Sequence, residues 1–386
     1  MTEWKEYKFS DFIDINPLVR IPKNIPISFV EMKDLDPSMR YCESSQLKLL
    51  SGGSRFINGD TLFARITPCL ENGKICQVRN LQNNVGFGST EFHVLRGKEG
   101  VSDTNFVYYL SRWNEVRDHA EHNMEGSSGR QRVPKEAFDT LYLPLPPLPE
   151  QIRIASILSS LDDKIDLLHR ENKTLEAMAE TLFRQWFIEE AKEDWEEGKL
   201  GDFVSVIDNR GKTPPYTDNI TEYPIIEVNA LTGEDRYVKY NLVKKYVEKD
   251  IYDFWFRGYF HKYDIFVSTV GSIGELAMCL EEKGVIAQNV IALHANNISP
   301  FYLYQYLNYN KDDLKGLDIG SVQPSIKVPH LLNMSIIIPP HDKLKEYDII
   351  MLDIIEKEEK NIKQIQTLIQ QRDSLLPKLM SGEVKI

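Results

Sequence analysis

Two sets of polar loop residues carry the hydrogen-bonding chemistry of this chain. The first half contributes Arg65, Lys74, Ser89, Thr90, Ser127, Ser128, Arg130 and Gln131, and the second half contributes Arg210, Lys212, Thr213, Ser268, Thr269, Gln288, Asn289, Ser321, Gln323, Ser325 and Lys327. Hydroxyls and glycine amides suit phosphate oxygens, whereas arginine, glutamine and asparagine can bond two atoms of a base edge. Taken singly, each residue is better explained as ordinary loop polarity. Because the two sets occupy matching places in the chain, together they favour a nucleic-acid interface.

Residue patterns typical of an enzyme are missing from the sequence. There is no glycine-rich loop ending in Gly-Lys-Ser or Gly-Lys-Thr, and the histidines form neither a triad nor a zinc pattern. Glu31 and Lys33 have the spacing of some metal-dependent nucleases, but their counterparts are Glu227 and Asn229, so the lysine is not repeated. We therefore expect no catalytic residues and no metal site, with a lone nuclease or methyltransferase as the enzymatic alternative.

The chain is an internal repeat, and the elements that position the loops occur twice. Residues 4–12 return as 195–203, residues 30–35 as 226–231, and residues 106–109 as 301–304. The offset drifts only between roughly 191 and 198 residues, which indicates one duplicated unit with small insertions and deletions. Two similar but unequal surfaces suggest a target that also has two unequal halves.

Each repeat is expected to be an α+β unit of about 150 residues followed by a long helix. Residues 61–66 and 264–270 predict equivalent strands, as do residues 92–95 and 290–293. Residues 104–117 and 299–307 predict helices, with Thr104 and Ser299 as N-caps. The Pro-rich segments 143–149 and 336–340 predict rigid extended connectors into the long helices, because stacked prolines interrupt strand ladders.

The two long helices carry apolar heptad seams that predict an antiparallel coiled coil. The seam residues are Leu161, Ile165, Leu168, Asn172, Leu175 and Leu182 in the first helix and Ile355, Ile362, Ile369 and Leu376 in the second. Asn172 is a polar residue at a seam position, where it can fix the register of the pair. The alternative is that each helix packs separately on its own domain. A helix of about 40 residues is roughly 60 Å long, which suits a spacer.

Composition limits the other possibilities. The net charge of −12 argues at first against a nucleic-acid partner, but it is spread along the chain, so local basic clusters stay possible. No apolar run approaches the length of a membrane span, and the four cysteines show no metal or disulfide spacing. We therefore expect a cytoplasmic protein with reduced thiols and no membrane partner.

Four segments resemble the specificity subunits of type I restriction-modification systems. Residues 145–151 with 157–165 are similar to the central conserved region of that family, and residues 371–383 are similar to its C-terminal conserved region. Residues 171–187, which close in Leu182-Phe183-Arg184-Gln185-Trp186-Phe187, resemble the end of the family's first conserved helix. The resemblance extends over essentially the whole chain.

The resemblance implies two pseudo-symmetric α/β target-recognition domains, residues 1–149 and 193–340, separated by conserved helices at 150–192 and 341–386. It implies a non-catalytic subunit whose recognition domains each read one half of a bipartite, asymmetric DNA site, while the helix pair sets the gap. The implied partners are double-stranded DNA, two modification subunits that methylate adenine with S-adenosylmethionine, and motor-nuclease restriction subunits that use ATP and Mg²⁺. No cofactor is expected on this chain, and the setting is the cytoplasm of a prokaryotic cell.

One departure from the family pattern concerns the start of the second helix. Pro340-His341-Asp342-Lys343 stands where the first repeat has a Pro-Leu-x-Glu-Gln sequence, which puts the beginning of that helix in question. Two other classes stay open: a specificity subunit from another type of restriction-modification system with the same DNA-reading role, and a coiled-coil scaffold without a DNA role.

Overall fold

The computed structural model describes residues 4–22, 24–209, 211, 213–233, 236–320 and 322–384. The chain divides into two compact units. Unit 1 comprises Met1–His169 with Ile362–Ile386, and unit 2 comprises Arg170–Asn361. Each boundary lies inside a long helix, so that each unit contains part of both helices. The division of the sequence at residues 149, 192 and 340 stays a prediction about functional domains.

Unit 1 is built from two main sheets and an additional pair of strands. One sheet has the order β2-β10-β7-β8-β4, the second has the order β5-β3-β9-β6, and β1 pairs with β11. The strands are β1 Lys5–Lys8, β2 Ile13–Ile15, β3 Ile27–Val30, β4 Tyr41–Cys42, β5 Gln46–Lys48, β6 Ser54–Ile57, β7 Thr61–Ala64, β8 Ile75–Val78, β9 Val85–Gly88, β10 Phe92–Gly97 and β11 Tyr142–Leu145. The short helices are α1 Phe9–Phe12, α2 Thr104–Arg112 and α3 Asn114–His122.

Unit 2 repeats this plan. Its sheets have the orders β13-β19-β16-β17 and β15-β14-β18, and β12 pairs with β20. The strands are β12 Glu196–Lys199, β13 Val204–Ile207, β14 Tyr223–Ile226, β15 Tyr246–Val247, β16 Ile265–Ser268, β17 Leu276–Met278, β18 Val285–Ile286, β19 Val290–Ala295 and β20 Ser335–Ile338. The short helices are α5 Lys249–Trp255, α6 Pro300–Tyr309, α7 Lys311–Gly316 and α8 Val328–Leu332.

The long helices are α4 Leu148–Arg184, which is followed by a π-helical turn at Gln185–Glu189, and α9 His341–Met380.

The predicted strand pairs are confirmed, and one predicted helix is corrected. β7 and β16 lie within the first predicted pair of strands, and β10 and β19 contain the second. Ser299 caps α6 through its hydroxyl, as expected. In unit 1, however, Asp103 is the cap, because its side chain accepts from the N–H of Phe106 at 2.8 Å. The predicted helix from residue 104 to 117 is interrupted at Trp113, which is extended.

The Pro-rich segments are strands for part of their length, which corrects their prediction as connectors only. Tyr142–Leu145 pairs antiparallel with Lys5–Lys8, and Ser335–Ile338 pairs with Glu196–Lys199. Each is paired on one side only in these sheets, and an edge position tolerates Pro144 because its missing N–H can face away from the partner strand. α9 begins at His341 directly after Pro340, so the departure from the family pattern does not delay the helix.

The long helices pack together, as the seams predict. In unit 1, Asp162 of α4 bonds Arg372 of α9, and farther along α4 the buried Ile165 and Leu168 cluster with Ile365. Residue numbers therefore rise along one helix as they fall along the other, so the pair is antiparallel. The first turns of α4 and the last turn of α9 also contribute to the main core of unit 1, through Ile154, Ala155, Leu158, Leu379 and Met380. Full burial of one such leucine contributes about 2 kcal/mol.

Candidate nucleic-acid interface

In unit 1, three loops meet where β7 ends, and they contain most of the predicted contact residues. The N–H of Arg65 donates to the carbonyl of Glu91 at 3.0 Å, and the N–H of Val133 donates to the carbonyl of Arg65 at 2.8 Å. The N–H of Thr67 donates to the carbonyl of Gln131 at 3.0 Å. These bonds hold the β7–β8 loop, the segment before β10 and the hairpin 125–132 at one edge. We call this set of residues, 65–67, 89–91 and 125–132, edge 1.

The hairpin of edge 1 closes through paired backbone bonds between Glu125 and Arg132, at 2.9 and 2.8 Å. Its turn uses Gly126 at φ +118° and Gly129 at φ +77°, a region of backbone conformation that favours glycine. Ser127, Ser128 and Arg130 are exposed at the tip. The sequence therefore presents a hydroxyl-rich and basic tip on a short, fixed base.

The other predicted residues near edge 1 differ in exposure. Thr90 is exposed, whereas Arg65, Ser89 and Gln131 are half-buried. The hydroxyl of Ser89 accepts from the N–H of Glu91 at 3.1 Å. Lys74 is half-buried, and its Nζ donates to the carbonyl of Met32 at 2.8 Å. The side chain of Lys74 therefore stabilises the fold through this bond, and we do not include it in the proposed contact set.

An ion pair that the sequence did not single out stabilises edge 1. Arg132 donates from Nε to both carboxylate oxygens of Glu91, at 3.0 and 2.9 Å, and from Nη2 to one of them at 2.7 Å. Hydrogen bonding from Arg132 is the main cause that lowers the pKa of Glu91 below its usual value. Glu91 is therefore ionised at neutral pH. The sequence shows this pair only as two charges in separate loops.

A buried histidine supports the same edge from inside. His93 is fully buried and lies 2.9 Å from the carbonyl of Val133 through Nε2 and 3.3 Å from Nδ2 of Asn16 through Nδ1. The tautomer with the proton on Nε2 satisfies both contacts. Burial lowers the pKa of His93 to about 4, so the ring is neutral at pH 7.

Unit 2 forms the same backbone pattern where β16 ends. The N–H of Thr269 donates to the carbonyl of Asn289 at 2.9 Å, and the N–H of Ile326 donates to the carbonyl of Thr269 at 2.8 Å. The N–H of Gly271 donates to the carbonyl of Pro324 at 3.0 Å. Each bond has a counterpart in edge 1, so Thr269 corresponds to Arg65 and Asn289 to Glu91. We call residues 269–271, 287–289, 318–320 and 322–327 edge 2.

The side chains of edge 2 require one correction. Ser268 and Thr269 are fully buried. The hydroxyl of Ser268 donates to the carbonyl of Ser272 at 2.6 Å and accepts from the N–H of Glu275 at 2.8 Å. Both side chains face the interior at the end of β16, so neither belongs in the proposed contact set.

The remaining predicted residues of unit 2 are distributed unequally. Gln288, Gln323 and Lys327 are exposed on edge 2, and Asn289 and Ser325 are half-buried there. Asp318 shapes this loop, because its Oδ1 accepts from the N–H of Gly320 at 2.8 Å and of Ser325 at 2.9 Å. These bonds lower the pKa of Asp318.

Three predicted residues, Arg210, Lys212 and Ser321, lie outside the residues that the structure describes. Thr213 is exposed on the loop after β13. In that loop Asn209 accepts from the N–H of Arg257 at 3.0 Å and donates to the carbonyl of Gly258 at 3.3 Å. This segment therefore lies beside residues 257–258 of the same unit.

A repeated Arg-Tyr dipeptide joins each sheet unit to its helices, and it was missed from the sequence. The carbonyls of Arg40 and Arg236 are matched, since each accepts a 2.7 Å backbone bond, from the N–H of Gln77 and Met278 respectively. In unit 1, the hydroxyl of Tyr41 donates to Asp163 of α4 at 2.9 Å. The repetition of Arg-Tyr at residues 40–41 and 236–237 is the signal that could have revealed it.

Around the Arg-Tyr dipeptide of unit 1, a buried carboxylate connects three elements. Asp162 of α4 accepts from the hydroxyl of Tyr109 at 2.7 Å and from Arg372 of α9 at 2.8 Å. Asp162 and Arg372 are both buried, with side-chain exposures of 1% and 5%. We call Asp162, Tyr109 and Arg372 the unit 1 anchor.

Unit 2 places its arginine between two acidic residues of the helices. Arg236 is buried and lies 3.5 Å from Glu358 of α9 and 3.6 Å from Glu176 of α4. The hydroxyl of Tyr237 donates to Glu358. We call Arg236, Tyr237 and Glu358 the unit 2 anchor.

The predicted seam residues lie along the helices with graded burial. Asn172 accepts from Nδ2 of Asn361 at 2.8 Å, so the polar seam position has a polar partner within unit 2. Buried seam residues are Ile165, Leu168 and Ile355, and half-buried ones are Leu161, Asn172, Leu175, Leu182, Ile362, Ile369 and Leu376. The seam therefore combines apolar contacts with buried polar groups, which heptad spacing alone does not reveal.

The described part of the chain contains neither a metal-binding cluster nor a membrane-spanning helix. Within those residues no group of three or more His, Cys, Asp or Glu side chains could hold a metal ion. Across the same residues, no helix combines the length and apolarity that crossing a bilayer requires.

Comparison with known proteins decides the family. Residues 1–177 and 192–371 match the type I restriction modification DNA specificity domain. The chain belongs to this family. It is 29% identical over 205 residues to the EcoEI specificity subunit of Escherichia coli, covering 50% of this chain and 34% of that protein. It is 26% identical over 313 residues to the MjaIX specificity subunit of Methanocaldococcus jannaschii, covering 75% of this chain and 71% of that protein.

The specificity-domain family also agrees with the fold. The crystal structure of the S subunit of a type I restriction-modification system from M. genitalium covers 98% of this chain and 96% of its own, at 17% identity and a TM-score of 0.54. This likeness confirms the α+β class with two β-sheet domains and two packed long helices. The chain spans 34% of the EcoEI subunit's length, so the activity and partners of the complete relatives are considered below as proposals.

Proposed function

We propose that this chain is the DNA-reading specificity subunit of a type I restriction-modification complex. Each repeat reads one half of a bipartite, asymmetric DNA site. The observation that carries the proposal is the pair of matched edges: the same backbone bonds join the same three loops at the ends of β7 and β16, while the side chains differ. A shared framework with different side chains suits two related half-sites of different sequence.

The subunit has no catalytic role in this proposal. The recognition domains are residues 1–149 and 193–340, and the helices at 150–192 and 341–386 set the gap between half-sites and dock two modification subunits. S-adenosylmethionine is used by those subunits, and ATP and Mg²⁺ are used by the motor-nuclease restriction subunits. The complex works on double-stranded DNA in the cytoplasm of a prokaryotic cell.

Methylome sequencing tests the DNA-reading role. A host that expresses this chain together with its modification subunits should carry adenine methylation at one bipartite motif, with two different half-sites and a constant gap. A host that expresses the modification subunits alone is the control. An uninterrupted motif, or methylation that does not require this chain, would contradict the proposal.

The helix pair offers a sharper test of how the gap is set. Seven residues inserted after His169 in α4 and seven after Asn361 in α9 fall at the unit boundaries, so the contacts inside each unit are retained. One heptad lengthens a helix by about 10 Å, which corresponds to roughly three base pairs. We expect a gap longer by about three base pairs with both half-sites unchanged.

The matched control is the α4 insertion alone. It lengthens one helix without the other, so the helix contacts of at least one unit must shift, and we expect lower stability without a defined longer gap. If the double insertion is folded and methylates at the original gap, the helices do not set the spacing.

A further inference from the structure

The side chain of Arg132 in edge 1 is held by several hydrogen bonds and is nevertheless exposed. Its guanidinium donates from Nε and Nη2 to Glu91 and from Nη1 to the carbonyl of Arg130 at 3.2 Å. An arginine has five N–H donors, so one N–H on each terminal nitrogen is left over from these bonds. The side chain is nevertheless 43% exposed. Arg132 therefore has one N–H on Nη1 and one on Nη2 left to donate to a ligand.

The position of this donor edge is well determined. The backbone of Arg132 is paired with Glu125, and it forms a further bridge with Ile66 after β7. Glu91 directly precedes β10 and receives the backbone N–H of Arg65 on its carbonyl at 3.0 Å. A planar guanidinium held by a carboxylate loses little further side-chain entropy when it binds a ligand.

The ligand that matches two charged N–H donors on neighbouring nitrogens is a guanine. Guanine presents the acceptors O6 and N7 side by side in the major groove, and arginine bonds them with two N–H groups. Phosphate also accepts from arginine, but a backbone contact does not require a carboxylate that fixes the plane of the guanidinium. The carboxylate of Glu91 also reduces the net charge of the edge, which weakens a purely electrostatic phosphate contact.

We propose that Arg132 reads a guanine in the half-site bound by the first repeat, and that Glu91 is a positioning residue for it. This inference rests on the proposed function and names one of its specificity-determining residues. Arg132 donates to O6 and N7 while its bonds to Glu91 are retained.

The second repeat provides an internal comparison. The backbone bonds place Ser325 at the position of Arg132 and Asn289 at the position of Glu91. Ser325 is half-buried and has a short side chain with a single hydroxyl, so it cannot form a two-donor fork. The same guanine contact is therefore expected in one half-site only.

The test uses the full chain assembled with its modification subunit and selection from random DNA duplexes. The wild-type complex should select a bipartite motif with guanine at one position of one half. In Arg132→Lys the two-donor edge is lost, and we expect roughly a 10- to 100-fold loss of preference for that guanine, with the other positions unchanged. Glu91→Gln keeps Arg132 but weakens its support, so a smaller loss at the same position is expected.

Lys135→Ala, at an exposed lysine outside edge 1, is the control and should leave base preference unchanged. Circular dichroism and the unfolding midpoint show whether each variant is folded, and if Arg132→Lys is not, Glu91→Gln decides alone. Unchanged guanine preference in folded Arg132→Lys, or in Glu91→Gln when it decides alone, would overturn the inference, because the ion pair would then only fasten the hairpin. Equal loss of binding on all sequences would also overturn it, since it marks a phosphate contact. In either case, a wild-type complex that still selects a bipartite motif supports the proposed function. A wild-type complex that selects no bipartite motif would contradict both the proposed function and the role of Arg132.

Discussion

Edges 1 and 2 share their backbone bonds and differ in almost every side chain. Edge 1 is charged, with Arg65, Glu91 and Arg132 close together, whereas the corresponding residues of edge 2 are Thr269, Asn289 and Ser325. The loop-to-loop bonds that the two edges share use only backbone groups, and every residue type except proline supplies both a backbone donor and a backbone acceptor. The shape of the edge is therefore independent of the residues displayed on it. A duplicated unit can then change what it reads without losing its fold.

The two anchors differ from the edges in this respect. Both repeats place an Arg-Tyr dipeptide against the long helices, with both arginines buried, and both bury a carboxylate there: Asp162 in unit 1 and Glu358 in unit 2. Charge pairing that is buried tolerates little change, because removal of one partner leaves an uncompensated charge. The anchors should therefore be sensitive to substitution for stability, and the edges for DNA preference.

The largest effect is expected from the unit 1 anchor. Asp162→Ala removes the carboxylate that accepts from Arg372 and from Tyr109, and both donors are buried. We expect a loss of about 3–5 kcal/mol in the free energy of unfolding, measured by urea denaturation followed by circular dichroism. The matched control is Asp163→Ala. Asp163 is the next residue, with 58% of its side chain exposed, and should cost less than about 1 kcal/mol.

Equal losses of stability in Asp162→Ala and Asp163→Ala would contradict the distinction between anchors and exposed residues, since burial would then make no difference. The unit 2 anchor provides a second test of this distinction. Glu358→Ala leaves Arg236, which is 1% exposed, without its nearer carboxylate, so a loss of similar size is expected. If neither anchor variant lowers stability, the buried charges are dispensable in both repeats.

The fold could be predicted from the sequence to the extent that it depends on local patterns. The repeat, the strands β7, β10, β16 and β19, and the pairing of the helices follow from apolar spacing and turn residues. The cap of α2 could not be distinguished, because Asp103 and Thr104 are adjacent and both are good caps. The strand at Tyr142–Leu145 was missed because it pairs with Lys5–Lys8, far away in the sequence, and no local pattern reports such a pairing.

Lowering the pH should reduce the free energy of unfolding by an intermediate amount, through a histidine that unit 2 lacks at the matching position. Burial lowers the pKa of His93 from 6.5 to about 4. Between these values the unfolded chain binds a proton that the folded chain does not, so stability is full above pH 6.5 and falls as the pH drops toward 4. The depressed pKa corresponds to roughly 3 kcal/mol at most. In unit 2 the corresponding residue is Ile291, which pairs with Val267 as His93 pairs with Phe63.

The measurement is the free energy of unfolding at several pH values from 7 to 4, for the wild type and for His93→Ile. The variant should lose less stability than the wild type over this range, although it is weaker at pH 7 because Val133 and Asn16 lose a partner. Identical pH dependence in both proteins would show that His93 is protonated as readily when folded as when unfolded.

The candidate site was less predictable than the fold. The sequence singled out these loops as candidates, but it could not tell that the side chains of Ser268 and Thr269 point inward, because direction at the end of a strand depends on register. Lys74 reaches back to Met32 across 42 residues, and Glu91 pairs with Arg132 across 41 residues. Contacts of this kind follow from the way the loops are joined, which only the three-dimensional structure reveals.

The smallest effect is expected from the exposed cations that flank each edge. Arg130 lies at the tip of edge 1 and Lys327 at the end of edge 2, and both are exposed. If each contacts a phosphate, Arg130→Ala and Lys327→Ala should each weaken DNA binding by a few-fold on all sequences and reduce the slope of log K against log salt by about 1. Binding is measured for the complex with its modification subunit, on the selected duplex and on an unrelated one, at several salt concentrations. Lys135→Ala in unit 1, an exposed lysine outside edge 1, is the control and should leave the slope unchanged. A loss confined to the selected duplex would instead make that residue a base contact in its own half-site, and the two edges would then differ in their cations as well as in their polar residues.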